Sequence, residues 1–396
     1  MQANDTIPGN IFLHSPGPTH VPLEVMQAMA RQPMDMGDPR LERSIAAIEA
    51  GLRRLLQTEV AEVFIYATNG HGAWEAVISN VVGPGQSVLI PGTGHFSDSW
   101  AVQTEAMGGK VLRTPWLEGL PIDAKAVEDA LRADTGHNIV AVFAVHTDTA
   151  SGVTSDMQAL RAAIDAAGHP ALFVVDVVAS LGAAPFAMDA LGANVVLGAS
   201  QKGLMCPPGL GFCAADARAM AVCERNPAPR FYWDWRLRKS EFAYRKFCGT
   251  PPQTLLMGLE AALDIFFREG MEQVMARHRR MADAVHAAVQ CWSTAGALSF
   301  FGTDARSRST SVTAIAVAPG ISPDALRDLA RSRFQVALAG GLGPLNGRVF
   351  RIGHLGDMNA PMILGCLGGL EAAMHVQGIP YGPGALDAAV RCLARG

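Results

Sequence analysis

Asp176 closes the apolar run Ala171-Leu172-Phe173-Val174-Val175, and Lys202 follows another that begins Asn194-Val195-Val196-Leu197. The separation, from 176 to 202, fits one strand-helix-strand crossover. In an open parallel sheet both side chains would then face the crevice at the carboxyl ends of the strands. An amine there can form a Schiff base and a carboxylate can hold a pyridinium nitrogen. Alone, a lysine after a buried strand is ordinarily a solvated end, and an aspartate in that place a cap or turn former. Together they point to pyridoxal phosphate.

Other loops reach the same crevice. Val63-Phe64-Ile65-Tyr66 leads into Asn69-Gly70-His71-Gly72-Ala73-Trp74-Glu75, a turn opening a helix, and free amides at such an N-terminus suit a phosphate. The turn lacks both the G-x-G-x-x-G and the G-x-x-x-x-G-K-[ST] spacings, which argues against dinucleotide and P-loop readings. Ser87-Val88-Leu89-Ile90 precedes Phe96, an aromatic able to stack on a pyridine ring, and Ile139 to Val145 precedes Thr149, whose hydroxyl can bond the phenolic oxygen or steady Asp176. Near the far end, Arg351 in Val349-Phe350-Arg351-Ile352 can clamp a carboxylate through paired hydrogen bonds.

Strand-like runs alternating with helical stretches such as 124–133 and 156–167 imply a mostly parallel sheet covered on both faces. A long helical pattern from about Thr254, interrupted at Gly270, bridges to strand-like segments at 310–318 and 349–352. The expected division is an N-terminal segment, 1–20, lining the active site, a large domain over 21–270 and a smaller α+β domain over 271–396. Pro227 to Trp235, rich in proline and aromatics, reads as an ordered surface excursion with packing or interface aromatics.

With 17% charged residues, a formal charge of −4 and no long Lys/Arg run, the chain offers no footprint for nucleic acid or an anionic membrane. The start, Met1-Gln2-Ala3-Asn4-Asp5, is not a basic segment before an apolar core, and no uncharged run approaches the roughly 20 apolar residues of a membrane helix, so a cytoplasmic location is expected. The seven cysteines are scattered with no C-x-x-C pair, and are read as reduced thiols and not as zinc ligands; Cys206 and Cys248 are read as packing residues.

Six segments in order, Ser-Pro-Gly-Pro-Thr at 15–19, Asn-Gly-His-Gly-Ala-Trp-Glu at 69–75, Val-Val-Asp-Val-Val-Ala-Ser-Leu-Gly at 174–182, Ser-Gln-Lys-Gly-Leu-Met at 200–205, Thr-Pro-Pro at 250–252 and Phe-Arg-Ile-Gly-His-Leu-Gly-Asp at 350–357, resemble the class V aminotransferases of the serine-glyoxylate and alanine-glyoxylate group. The resemblance spans nearly the whole chain. It implies a fold type I pyridoxal-phosphate enzyme acting as a homodimer. Lys202 would be the Schiff-base lysine, Asp176 the partner of the ring nitrogen, Phe96 the stacked aromatic and Thr149 the ring-edge contact. Asn69, Gly70, His71 and Gln201 would hold the phosphate, joined by Thr250 of the neighbouring subunit. Arg351 would bind the substrate α-carboxylate beside the Pro16-Gly17 backbone.

What the resemblance implies for activity is a ping-pong transfer of an amino group from a small L-amino acid, serine or alanine, to glyoxylate. Two departures bear on the donor: Asp35-Met36-Gly37-Asp38 stands where the serine-glyoxylate branch shows Asp-His-Arg-Ser, and Phe247-Cys248-Gly249 where relatives often have a tyrosine. The alternatives are aspartate, an aminophosphonate or pyridoxamine as donor, with glyoxylate or pyruvate as acceptor. Arg40, Arg245, His20 and His354 are the candidates for a dicarboxylate's second charge. A desulfurase would need a cysteine on a mobile loop, which is not evident, and a nucleotide-binding oxidoreductase would need the absent dinucleotide fingerprint.

Overall fold

The computed structural model describes residues 9–395; the start of the chain read above for targeting, Met1 to Asp5, lies outside them. In chain order the strands are β1 Phe12–His14, β2 Glu62–Thr68, β3 Ser87–Pro91, β4 Lys110–Thr114, β5 Ile139–Val145, β6 Thr147–Asp148, β7 Val153–Thr154, β8 Leu172–Asp176, β9 Val195–Ala199, β10 Gly209–Ala215, β11 Leu298–Phe300, β12 Val312–Val317, β13 Val336–Gly340 and β14 Val349–Gly353. Seven of them form one sheet in the order β2-β10-β9-β8-β5-β3-β4. β4, β3, β5, β8 and β9 run parallel, while β10 lies antiparallel to both β9 and β2.

The apolar runs of the sequence make this sheet because it is covered on both faces, so its strands need no polar side. Side chains alternate between two cores: Val142, Ala144, Phe173 and Val175 point into one, Ala141, Phe143, Leu172 and Val174 into the other. Helices cover each face and start where the sequence supplies caps. Asp123 accepts from the amides of Lys125 and Ala126 before the helix Ala124–Ala133, and Asp156 does the same for Gln158 and Ala159 before Met157–Ala167.

A second sheet runs β1-β13-β14-β12-β11 around a core that includes Trp292, Leu326, Phe350, Ile352 and Leu370. β1 pairs in parallel with β13, Phe12 opposite Val336, so the first strand among the described residues is built into the C-terminal sheet. Directly after it, residues 15–19 cross back to the larger sheet. The helical pattern after Pro252 is two helices, Gln253–Glu269 and Met271–Trp292, that meet at Gly270. In the excursion after Pro227, Trp235 is fully buried and stacks on Phe64 with ring centroids 5.4 Å apart, whereas Phe231 is exposed. Among the described residues no helix is long and apolar enough to cross a membrane.

Candidate active site

The sheet brings Asp176 and Lys202 together as the spacing requires. Asp176 is the last residue of β8, β9 runs parallel beside it, and Lys202 follows three residues after the end of β9. Both line one cavity of about 260 Å³ at the carboxyl ends of the strands. Lys202 is almost wholly buried, and desolvation, reinforced by the charge of Arg351, lowers its ammonium pKa to about 8 against the opposing pull of Asp176 and Asp148. Burial raises the Asp176 carboxyl to about 6. Its Oδ1 accepts from the Val178 amide at 2.7 Å and its Oδ2 from the Trp74 indole Nε1 at 2.9 Å.

Asn69, Gly70, His71 and Gln201 line the same cavity. Asn69 caps the helix Gly70–Val81, its Oδ1 accepting from the His71 amide at 3.1 Å and the Gly72 amide at 3.3 Å. The expectation of free amides therefore needs correcting: an asparagine at the N-cap engages two of them itself, as this residue type does. The Gly70 amide has no partner among the described residues. Gln201 Oε1 is buried without a hydrogen-bond partner. Burial, followed by the charge of His95, holds the His71 imidazole below its usual pKa, which favours its neutral form.

Phe96 opens the helix His95–Ala106 and lines the cavity with Thr149. The Thr149 hydroxyl does not bond Asp176, whose oxygens accept from the Val178 amide and the Trp74 indole; Thr149 instead offers its carbonyl to Arg351 Nη1 at 2.9 Å. Asp148 went unselected in the sequence, yet it is fully buried and ties the pieces together. Its Oδ2 accepts from Thr93 Oγ1 at 3.1 Å and the Phe96 amide at 3.0 Å, and its Oδ1 from the Ala150 amide at 2.9 Å. Trp74 and Thr147 also line the cavity and were not singled out. A usable signal for Trp74 existed, since four residues after Gly70 it must share that residue's helix face.

The 15–19 segment closes one side. Lys202 Nζ donates to the Pro16 carbonyl, Thr19 Oγ1 to the Lys202 carbonyl at 3.1 Å, and the Thr19 amide to the Gln201 carbonyl at 3.3 Å. Gly17 has φ +129°, and a Cβ there would lie 2.5 Å from Lys202 Cδ. Arg351 is buried in β14, held by the Gly340 carbonyl on Nε at 2.7 Å and by Thr149, and stands behind the cavity wall. Desolvation lowers its pKa to about 10, with Asp148 opposing that shift. Thr250 is exposed and away from this cavity.

Of the cations considered for a second carboxylate, His354 is not available. It is fully buried, with Nε2 paired to Thr313 Oγ1 at 2.9 Å and Nδ1 to the Thr310 carbonyl at 3.0 Å. The sequence could not show this, because both partners lie more than forty positions away. Arg40 is committed to Asp38, and His20 lies 3.4 Å from Asp357. Among the described residues that line the cavity, Lys202 and His71 are the basic ones.

The profile of the family described as "Aminotransferase class-V" matches residues 11–343. The chain is 38% identical to the L-aspartate–glyoxylate aminotransferase of Paracoccus denitrificans, over 92% of this chain and 91% of that protein. It is 36% identical to the serine–glyoxylate aminotransferase of Methylorubrum extorquens, over 98% and 97%. Among solved structures, the ureidoglycine–glyoxylate aminotransferase of Bacillus subtilis superposes with a TM-score of 0.88 at 26% identity, covering 99% of this chain and 100% of that one. The architecture is fold type I, and with motifs, site and relatives in agreement, the chain belongs to the class V aminotransferases.

Proposed function

We propose that this aminotransferase binds pyridoxal 5′-phosphate in the cavity between Asp176 and Lys202 and moves an amino group from serine or alanine to glyoxylate in two half-reactions. The observation that carries the reading is that pair: a buried amine and a buried carboxylate lining one cavity, with an arginine behind its wall. The residues fit the cofactor. Gln201 lines the cavity with a side-chain NH2 that can donate to a phosphate, the Gly70 amide at a helix N-terminus suits a phosphate, and Phe96 offers an aromatic face in the cavity wall.

Lys202 would hold the cofactor covalently, Asp176 its ring nitrogen, Phe96 its face and Thr149 its edge. Asn69, Gly70, His71 and Gln201 would hold its phosphate, with Thr250, exposed in one chain, reaching the neighbouring subunit of a homodimer. Bound there, pyridoxal phosphate supplies an aldehyde that condenses with amines and a ring that accepts electrons from the α-carbon. Lys202 Nζ would take the α-proton of the donor and pass it on to the cofactor, and would carry one the other way to the α-carbon of the acceptor. Arg351 orients the substrate carboxylate from beside Thr149, and the Pro16-Gly17 segment excludes water from the amine.

The test is the visible absorption of the purified protein with pyridoxal phosphate, then with L-serine, then with glyoxylate. A yellow band that bleaches with the amino acid and returns with the oxo acid supports the reading; failure to develop any band refutes it. Alanine, aspartate, an aminophosphonate and pyridoxamine belong in the same donor panel, with pyruvate as the second acceptor. Among the described residues that line the cavity, Lys202 and His71 are the basic ones, which favours a donor without a second carboxylate.

A further inference from the structure

We propose that Trp74 is a positioning residue, whose indole N–H keeps Asp176 ionised and aimed at the ring nitrogen of the cofactor. This rests on the pyridoxal-phosphate reading above.

The geometry is specific. Trp74 is buried in the cavity wall, and its Nε1 donates to Asp176 Oδ2 at 2.9 Å while the Val178 amide takes Oδ1. Each carboxylate oxygen thus has one fixed donor on the protein side and a lone pair left over. The indole cannot turn away. It stacks face to face on Trp100 at 5.4 Å and 8°, and Trp100 stacks in turn on Phe143 at 4.6 Å and 16°. Its edge meets Phe96 at 6.3 Å. The neighbouring Trp100 has its own Nε1 buried without a partner, so packing in this column does not by itself require a satisfied indole N–H.

The bond matters because Asp176 is under opposing influences. Burial and the charge of Asp148 favour its neutral form; the Val178 amide, the Trp74 N–H and Lys202 favour its anion. The histidines on the packed elements, His71 and His146, are pushed toward neutrality by burial. A protonated Asp176 has no charge with which to hold a protonated ring nitrogen. Without Trp74, the carboxyl would take up its proton at higher pH, and cofactor uptake would be lost from that pH downward.

The test is the dissociation constant of pyridoxal phosphate from apoprotein, read by absorbance from pH 5 to 9, for wild type, Trp74→Phe and Trp74→His. Affinity in wild type should fall as pH drops through the Asp176 titration. In Trp74→Phe the midpoint should rise by roughly one to two pH units, the usual worth of a hydrogen bond to a buried carboxylate, weakening binding about twofold to tenfold at pH 7. Trp74→His, which restores an N–H, should move the midpoint back toward wild type. A uniform loss of affinity in Trp74→Phe with the wild-type midpoint would leave Trp74 a packing residue and overturn the proposal. The same holds if both variants fold and bind as wild type does. If wild type itself takes up no pyridoxal phosphate, the cofactor reading falls and this role falls with it.

Discussion

Gly17→Ala is the sharpest perturbation available, because it adds one methyl group at a place where the structure leaves no room. The new carbon would lie 2.5 Å from Cδ, 2.6 Å from Cε and 2.7 Å from Nζ of Lys202. Carbon atoms in good contact sit about 3.5–4.0 Å apart. At φ +129° the backbone conformation itself costs an alanine of order 1–3 kcal/mol, and forced overpacking adds about 1–3 kcal/mol. The relief falls on the lysine, since the segment is tied at Thr19 by two hydrogen bonds to the 201–202 backbone, while the lysine tip is a flexible chain. Moving Nζ by about 1 Å from its working position costs on the order of 10²-fold in rate. The expected result is a protein that folds, with reduced stability, but takes up pyridoxal phosphate and turns over roughly a hundredfold less well. Gly85→Ala is the control: it too has positive φ, +73°, but nothing lies within 4 Å of the added carbon, so stability should fall slightly with cofactor uptake intact. Absorption titrations and thermal unfolding of both variants decide it. Wild-type uptake and turnover in Gly17→Ala would refute the claim that the 15–19 segment sets the position of the amine.

Lys202→Ala should abolish turnover and the yellow band together; measurable transamination in that variant would remove the lysine from the mechanism. With the Lys202 ammonium lowered to about 8, the rate of covalent cofactor attachment to apoprotein should climb with pH and level off above about 8, as the free amine becomes the dominant form. In Arg351→Gln a cation that disfavours the ammonium is gone, so that midpoint should move upward, and the KM for the amino acid should rise as well; stopped-flow absorbance across pH reads the first and steady-state kinetics the second. Asp148→Ala strands the buried donors Thr93 Oγ1 and the Phe96 and Ala150 amides, and should cost about 2–5 kcal/mol in denaturant unfolding along with weaker cofactor binding; an unfolding curve like that of wild type would count against its role as an anchor for Phe96.

The part of this fold that could be read from the chain is the part whose signal is local. Ile139 to Val145 is a continuous apolar run because β5 has a core on each face, and such a run can be seen without knowing its partners. The ends of β8 and β9 were visible for the same reason, and with them Asp176 and Lys202. β10 escaped notice because Gly209-Leu210-Gly211-Phe212 has the glycine content of a loop, and its strand conformation is imposed by pairing with β2 on one side and β9 on the other. β4, Lys110-Val111-Leu112-Arg113-Thr114, is an edge strand with exposed charged residues and no clear apolar run. β1 has three residues and a partner at 336–338. Trp74 stands within a quoted motif and Asp148 next to Thr149, but their work is done through hydrogen bonds across the fold, to Asp176 and to Phe96, that no spacing rule encodes.

Residue types alone do not make this site reactive; burial does, and it acts unequally on the four charged groups. A solvated lysine at its ordinary value leaves roughly one amine in a thousand uncharged at pH 7.5, whereas a Lys202 lowered to about 8 leaves roughly a quarter. That gain comes first from burial and then from a second cation, Arg351, which itself drops only to about 10 and so stays charged and able to hold a carboxylate. Two adjacent cations in a dry cavity would repel each other, and the two buried aspartates compensate them. Asp176, at about 6, remains an anion near neutrality through its two N–H donors, and Asp148 supports both Lys202 and Arg351 while fixing Phe96. Between about pH 6 and 8 the site therefore holds an ionised Asp176 and a lysine close to release of its proton. The proposed cofactor, with a ring nitrogen to be kept protonated and an aldehyde to meet a neutral amine, asks for that combination.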